Sequence, residues 1–378
     1  MKRPNTPYIE LPTDETVSRA VAWLRSGEAI GLPTETVYGL AADASNADAV
    51  TKIFSAKGRP IDHPLIVHVA SAEAAKAWAA DWPEAADKLA NAFWPGPMTL
   101  IVKRATHVLD AVTGGQDTVG LRVPSHPVAQ AVLKHFSGEQ QGLAAPSANQ
   151  FGQVSPTTAA HVAAEFPNRL LMILDGGACE VGVESTIIDV SGRSGEGVRV
   201  LRPGRVRASE IEQVLGTLLA EHVDDAPRAD SGGTPRVPGS LASHYAPRTQ
   251  TLMLATARLK MQLRAFRQAQ DRGPMRCVIT HSFDAEPAQR VRVIRLAADV
   301  ETWERELYAL LRALDEERYG TLIIEAPPET PEWDAVNDRI QRATQRDRDA
   351  AGENERDAAG ENNRDAATSS DTGENPTE

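Results

Sequence analysis

Short apolar runs alternate along this chain with amphipathic stretches that stop at glycine, and this alternation restricts the fold more than any other feature. AIGL (29–32), LIVHV (65–69), MTLIVK (98–103), TVGLRV (118–123), LLMILD (170–175), STIIDV (185–190) and VRVLR (198–202) read as strands. Helices are expected over 15–26, stopped by Gly27, and over 47–57, stopped by Gly58. Others are expected over 71–80, 84–93, 126–136 and 158–165, and Ser209 with Glu212 reads as a capping box for one more. Strands interleaved with helices specify an α/β domain.

The alternation breaks over 221–248, a stretch rich in Asp, Gly, Pro and Ser that reads as a linker and ends in HYAP (244–247). It resumes in QTLMLA, RCVITH, VRVIRL and GTLIIEA, with helical ARLKMQLRAFRQAQ and ETWERELYALLRALDEE between some of them. That pattern suggests a second, open and mostly parallel α/β sheet. Beyond it RDAAGEN occurs at 348–354 and again at 356–362, in a segment almost without large apolar side chains. Such a segment cannot offset its ordering entropy by burial, so 346–378 reads as a disordered tail, with a partner-docking tail as the alternative. The expected organisation is a large domain over 10–208, a helix and linker over 209–248, and a small domain over 249–345.

The 378 residues, 41% hydrophobic and 24% charged, suit two soluble domains. A net charge of −12 gives no global attraction to nucleic acid or anionic lipid, although it leaves a local basic pocket open. Cys179 and Cys277 are far apart in sequence, with no CxxC, which argues against a disulfide framework or a zinc site and suits a reducing cytosol. No apolar run reaches membrane-spanning length, so a cytoplasmic protein without a membrane partner is expected.

Polar groups collect where strands begin or end. IFSAKGRPIDHPLIVHV (53–69) sets Lys57 and Arg59 about a glycine and then puts His68 into an apolar strand. A cation at a helix C-terminus is favoured by the dipole, which accounts for Lys57, but less well for Arg59 and hardly for His68. GLPTETVYGLA (31–41) leaves a strand into Thr34, Glu35, Thr36 and Tyr38. Arg122 lies in apolar GLRVP (120–124), a costly position unless it meets an anion. GLAAPSANQ (142–150) supplies Ser147 and Asn149, GVESTIIDV (182–190) supplies Glu184 and Ser185, and LRPG (201–204) supplies Arg202. Each alone is ordinary turn chemistry; the recurrence is what points to a site, because α/β proteins gather ligand groups at strand ends. No P-loop, GxSxG, HExxH or Cys/His metal signature is present. Cations and hydroxyls without an evident nucleophile suit a polyanionic substrate.

The succession PTETVYGL, KGRP with PLIVHV, WPGPMTL, GLRVPSHP, APSAN, GVESTIIDV, LRPG and HYAP closely resembles the threonylcarbamoyl-AMP synthases, YrdC-like proteins whose longer members carry a Rossmann-like second domain. The resemblance covers about 10–345 and implies a twisted α/β sheet around a positively charged cavity. It implies condensation of L-threonine, bicarbonate or CO2, and ATP into threonylcarbamoyl-AMP and pyrophosphate. A separate transferase complex would then modify adenosine 37 of tRNAs reading codons that begin with A, so tRNA is met only indirectly. By position, Lys57, Arg59, Ser147 and Asn149 correspond to the catalytic tetrad around bicarbonate and the phosphates. Thr34, Thr36, His68, Arg122, Ala145 and Ser185 correspond to the threonine site, with Arg122 the partner of its carboxylate. His63, Thr118, Ser155, Arg202 and Tyr245 join Lys57, Arg59 and Ser147 on ATP, which would bring Mg2+; no protein metal ligand is implied. Tyr245 sits in HYAP, so the linker is expected to fold over the nucleotide. Two positions depart from the family: His63 stands where asparagine is usual, and PEWDAVNDRIQRA (331–343) keeps Asp338 and Arg339 but lacks a Gly-rich turn. A non-catalytic RNA-binding module is the alternative, which the acidic total charge opposes. A hydrogenase-maturation carbamoyl-transfer domain is the other, although its usual zinc-finger cysteines are missing.

Overall fold

Ten strands form one mixed sheet in a computed structural model that describes residues 8–136, 138, 141–167, 170, 172–193, 197–220, 234–241, 243–268 and 272–345. The repeat tail and residues 221–233 of the linker lie outside the described residues. Across the sheet the order is Tyr8–Glu10, Met172–Leu174, Ile30–Leu32, Gly39–Asp43, Leu143–Ala144, Ile66–His68, Thr118–Arg122, Met98–Lys103, Thr186–Asp189 and Arg199–Arg202. Ile66–His68 runs parallel to Thr118–Arg122 with His68 opposite Arg122, and Met98–Lys103 runs antiparallel to the same strand.

Alternation along the strands decides what each face meets. Val67, Leu100, Val102, Leu121 and Ile188 enter a core closed by helices Ala47–Lys57, Glu84–Phe93, Ala159–Glu165 and Ala208–Leu215. On the other face Ile30, Leu32, Ala41, Met172 and Leu174 pack on helices Asp14–Arg25 and Pro127–Phe136. Those two helices cover only part of that face. Further along it Ile66, Ile101 and Ile187 gather with Leu201 under Val237 of the linker. This linker-covered patch also carries the polar residues of the strands, since Gly120 faces Thr99, Ile101 and Ile66 and alternation puts Thr118 and Arg122 beside it.

The small domain is a four-stranded parallel sheet ordered Gln250–Leu254, Thr321–Glu325, Arg276–Thr280, Val291–Arg295. Helix Thr256–Gln268 covers one face through Leu259, Leu263 and Phe266. Helices Val300–Glu316 and Asp334–Thr344 cover the other through Trp303, Leu307, Leu311, Val336 and Ile340. That second core takes in Val37 and Val154 of the large domain and Tyr245 of the linker, so the two domains share packed apolar surface.

Several elements differ from the sequence reading. Tyr8–Glu10, Gly39–Asp43 and Leu143–Ala144 are additional strands, short or built from small residues whose β signal is weak. The helix expected over 71–80 stops after Ala72–Lys76, because Ala80 donates to the Lys103 carbonyl and the chain turns to the sheet edge. In place of the capping box expected at Ser209 and Glu212, Glu210 accepts the Arg207 N–H at 2.7 Å and the helix begins at Ala208. Arg207 is fixed there by an ion pair with Glu304 of the small domain.

Glu304 is buried and also receives Arg205 at 2.9 Å. Glu304→Ala takes the buried carboxylate from Arg207 and one of two from Arg205, which keeps Glu301 at 2.6 Å, and is expected to cost about 3 kcal/mol, the low end for a broken buried pair because Arg205 is partly exposed. Guanidinium denaturation of the full chain measures it, and an unchanged midpoint would remove this ion pair from the domain contact.

Candidate active site

Gly58 turns left-handed at φ 62° and ends helix Ala47–Lys57, which leaves Lys57 pointing inward. Its Nζ donates to the carbonyls of Ser147 and Asn149 at 2.5 Å each. Burial, with the like charge of Arg59, pulls its pKa well below that of a free lysine. Arg59 donates from Nη2 to the Pro64 carbonyl at 2.9 Å and stands 5.7 Å over the Phe151 ring, its pKa also lowered by burial. Phe151 begins a row of rings: His63 meets its edge at 5.3 Å and His244 at 6.1 Å, and His244 touches Tyr245 at 4.1 Å. Asn149 anchors the turn, with Nδ2 donating to Gln150 and Gln153 carbonyls at 2.7 and 2.9 Å.

Beside this region Thr34 and Thr36 share a 2.9 Å hydroxyl contact, and Arg122 Nη2 donates to Thr36 Oγ1 at 2.9 Å. The anion that Arg122 meets within the chain is Glu35, 2.8 Å from Nη2. Neither Glu35 oxygen has a well-aligned donor, so the contact is ionic rather than directional. Burial opposes ionisation of Glu35, but Arg122 outweighs it and holds the carboxyl below its usual range. His68 lies across from Arg122 in register; burial and that guanidinium lower its pKa to about 3, so the imidazole is neutral. Ala145 holds the neighbouring strand through its N–H to the Ile66 carbonyl at 3.1 Å.

Ser185 and Arg202 form a third group. The Ser185 Oγ lies 2.8 Å from Thr99 Oγ1, and Arg202 donates from Nη2 to the Ser185 carbonyl at 2.8 Å and to the Ser185 hydroxyl at 3.2 Å. Arg202 also reaches the linker through Nη1 to the Pro238 carbonyl at 2.9 Å. Thr118 is buried at the start of its strand, beside the turn where Arg236 of the linker donates to the Gly114 carbonyl at 2.8 Å. Ser155 donates to Glu184 Oε1 at 2.5 Å. The linker thus runs over the polar patch, and Tyr245 ends up buried with a left-handed backbone, φ 59°.

The chain therefore gathers the sequence-predicted residues about one linker-covered face. Arg59 Nε, His68 Nδ1, Asn149 Oδ1, His244 Nδ1 and the Tyr245 hydroxyl are buried there without a hydrogen-bond partner among the described residues. Unpaired buried donors and acceptors are costly, so their concentration makes this region the candidate ligand site. The sequence reading assigned no role to Glu35, Glu184, Thr99, Phe151, His244, Tyr308 or Arg339. Glu35 and Glu184 carried a signal, as acids in otherwise small or apolar strand ends. Tyr308 carried none, and Arg339 carried only that of a retained family position, because both come from the other domain.

A family model described as "Telomere recombination" (Sua5, YciO and YrdC) matches residues 22–204, and one described as "Threonylcarbamoyl-AMP synthase, C-terminal domain" matches 206–345. The threonylcarbamoyl-AMP synthase of Pyrococcus abyssi is 38% identical over 330 residues, 86% of this chain and 93% of the relative. That of Bacillus subtilis is 38% identical over 341 residues, 88% and 94% of the two chains. The crystal structure of Pyrococcus abyssi Sua5 complexed with L-threonine superposes with a TM-score of 0.77 at 34% identity, covering 90% of this chain and 97% of that one.

Glu184 generates a pH prediction. Burial raises its pKa, but Arg339, Arg202 and the Ser155 hydroxyl bring it down from 4.5 to about 2. A carboxyl depressed on folding contributes its stability above the unfolded pKa and loses it as pH falls toward the folded one. Between about pH 5 and about pH 3, denaturant-measured stability should fall more steeply in the parent than in Glu184→Gln. Equal slopes would show that Glu184 is not held ionised.

Proposed function

Because this chain belongs to the threonylcarbamoyl-AMP synthase family, a family of nucleotidyl-transferring enzymes, we propose that it makes threonylcarbamoyl-AMP from L-threonine, bicarbonate or CO2, and ATP, with release of pyrophosphate. We assign the product to N6-threonylcarbamoyladenosine formation at position 37 of tRNAs reading ANN codons, through a separate transferase complex. The observation that carries the reading is the set of buried cations, Lys57 and Arg59 at a helix end and Arg122 and Arg202 at strand ends, with unpaired polar atoms near them. An interior cationic set in an acidic protein calls for an anionic ligand of matching charge.

The threonine amine, once deprotonated, attacks the carbon of bicarbonate, giving the carbamate and water. A carbamate oxygen then attacks the α-phosphorus of ATP, the bond to the bridging oxygen breaks, and pyrophosphate leaves with the electron pair. Lys57 and Arg59 would offset charge at the phosphates, with Ser147 and Asn149 fixing the turn that holds them. Arg122 would take the threonine carboxylate, its fork having more N–H donors than its contacts to Glu35, Thr36 and Gly96 use. His68, Thr34, Thr36, Ala145 and Ser185 would shape that end. Thr118, Ser155, Arg202, Tyr245 and His63 would surround the nucleotide, His63 placing a ring against Phe151. ATP would enter as its Mg2+ complex, the ion held by phosphate oxygens; Glu184 and Glu35 are already committed to arginines. A cytoplasmic location fits two buried, free cysteines.

Pyrophosphate release from ATP should require both threonine and bicarbonate. ATP turnover without threonine, or tight tRNA binding with no AMP adduct, would overturn the reading. Lys57→Ala should lower kcat by about 10²–10³-fold in folded protein, as loss of one transition-state donor does; normal turnover would remove Lys57 from the reaction.

A further inference from the structure

Arg339, in helix Asp334–Thr344 of the small domain, is fully buried although every residue proposed to touch substrate lies in the large domain or the linker. Its Nε donates to Glu184 Oε2 at 2.9 Å and its Nη1 to the Pro203 carbonyl at 3.0 Å, while the guanidinium lies 5.2 Å over the Tyr245 ring. Tyr308, from helix Val300–Glu316, donates to the same Glu184 oxygen at 2.8 Å and stacks on the other ring neighbour, Tyr245, at 5.7 Å. Glu184 in turn accepts from Ser155 and immediately precedes Ser185, which Arg202 grips. Two small-domain side chains therefore hold both the linker tyrosine and the carboxylate behind the strand start.

From this geometry we propose that Arg339 and Tyr308 are positioning residues by which the small domain sets the nucleotide end of the site. The proposal rests on the reading above. Tyr245 needs such support, because a left-handed backbone at a non-glycine residue persists only where its surroundings hold it. Gly239 packs so tightly on the Tyr245 hydroxyl that a Cβ there would collide with it, so the ring has one seat. Asp338, at 2.6 Å from Nη1 and shared with Arg342, takes only part of the Arg339 fork, which leaves Nε for Glu184 and the guanidinium face for the ring.

The test uses full-length Arg339→Lys, Tyr308→Phe and Tyr245→Ala, alone and combined, each checked for folding by circular dichroism. ATP binding is read by equilibrium dialysis, and KM values by pyrophosphate release. Arg339→Lys should weaken ATP binding and raise the ATP KM about tenfold, the size of a lost desolvated cation–π contact, with the threonine KM within about twofold. In the Tyr245→Ala background the same change should add less than about twofold, because the held group is gone. Tyr308→Phe should shift ATP KM in the same direction and decides the matter if Arg339→Lys does not fold. An unchanged ATP affinity in folded variants, or a full additional tenfold loss on top of Tyr245→Ala, would overturn the proposal. A parent that binds ATP but releases no pyrophosphate would sink the reaction assigned above while leaving the dialysis arm to decide this one.

Discussion

The carboxylate of Glu184 is the point on which the two domains and the site depend together. An ionised carboxylate is expensive to bury and remains so unless its oxygens receive donors. Ser155 supplies one from the large domain, and Tyr308 and Arg339 supply two from the small domain. With only the large domain in place, Glu184 would keep one of these three partners. The small domain is therefore a condition for the local structure at the start of strand Thr186–Asp189, and not an appendage joined by a linker. Arg312 makes a similar contact nearby, donating to the Ser155 carbonyl at 3.2 Å and pairing with Glu165 at 2.8 Å.

The sheet explains why the site lies where it does. A strand whose two faces both meet helices must be apolar on both, as along Ile30–Leu32. Thr118–Arg122 keeps Val119 and Leu121 for the helical core and turns Thr118, Gly120 and Arg122 the other way. An apolar helix laid on that second face would bury Arg122 without further partners. A strap does not impose that cost, because its backbone carbonyls can accept from the cations beneath it, as Pro238 does from Arg202. The linker's composition, poor in periodicity and rich in Pro and Gly, suits a strap of this kind.

Most of this architecture was legible in the chain. The main strands and helices followed from periodicity and from glycine stops such as Gly58, whose left-handed φ is the one the helix end requires. Gly39–Asp43 and Leu143–Ala144 were not legible, since GLAAD and LA bear no β-branched residue and their pairing is tertiary. The polar residues at strand ends were legible as a set because they recur. Their partners were legible only where sequence keeps them close, as with Thr34 and Thr36. The pairing of Glu184 with Arg339 spans 155 positions and two domains, and no local pattern encodes it. The segment before HYAP read as spacer for the same reason: Val237 and Tyr245 are buried by surfaces distant in sequence.

A folded protein that carries Lys57, Arg59, Arg122 and Arg202 inside it must distribute their charge among partners of its own. It does so unevenly. Arg122 has Glu35, and Arg202 has the Ser185 and Pro238 carbonyls. Lys57 has only neutral carbonyls, and both burial and Arg59 oppose its charge. Burial acts on an ammonium by penalising the charged form, and an adjacent anion reverses that penalty. Lys57 is thus held by neutral carbonyls alone among the described residues, as Arg59 is held by the Pro64 carbonyl and the Phe151 ring. The turn KGRP therefore places two unlike cations side by side, an ammonium held by two carbonyls and a guanidinium lying over the Phe151 ring. Replacing either by the other would break that arrangement, because a planar guanidinium does not reproduce the two carbonyl contacts of a compact ammonium.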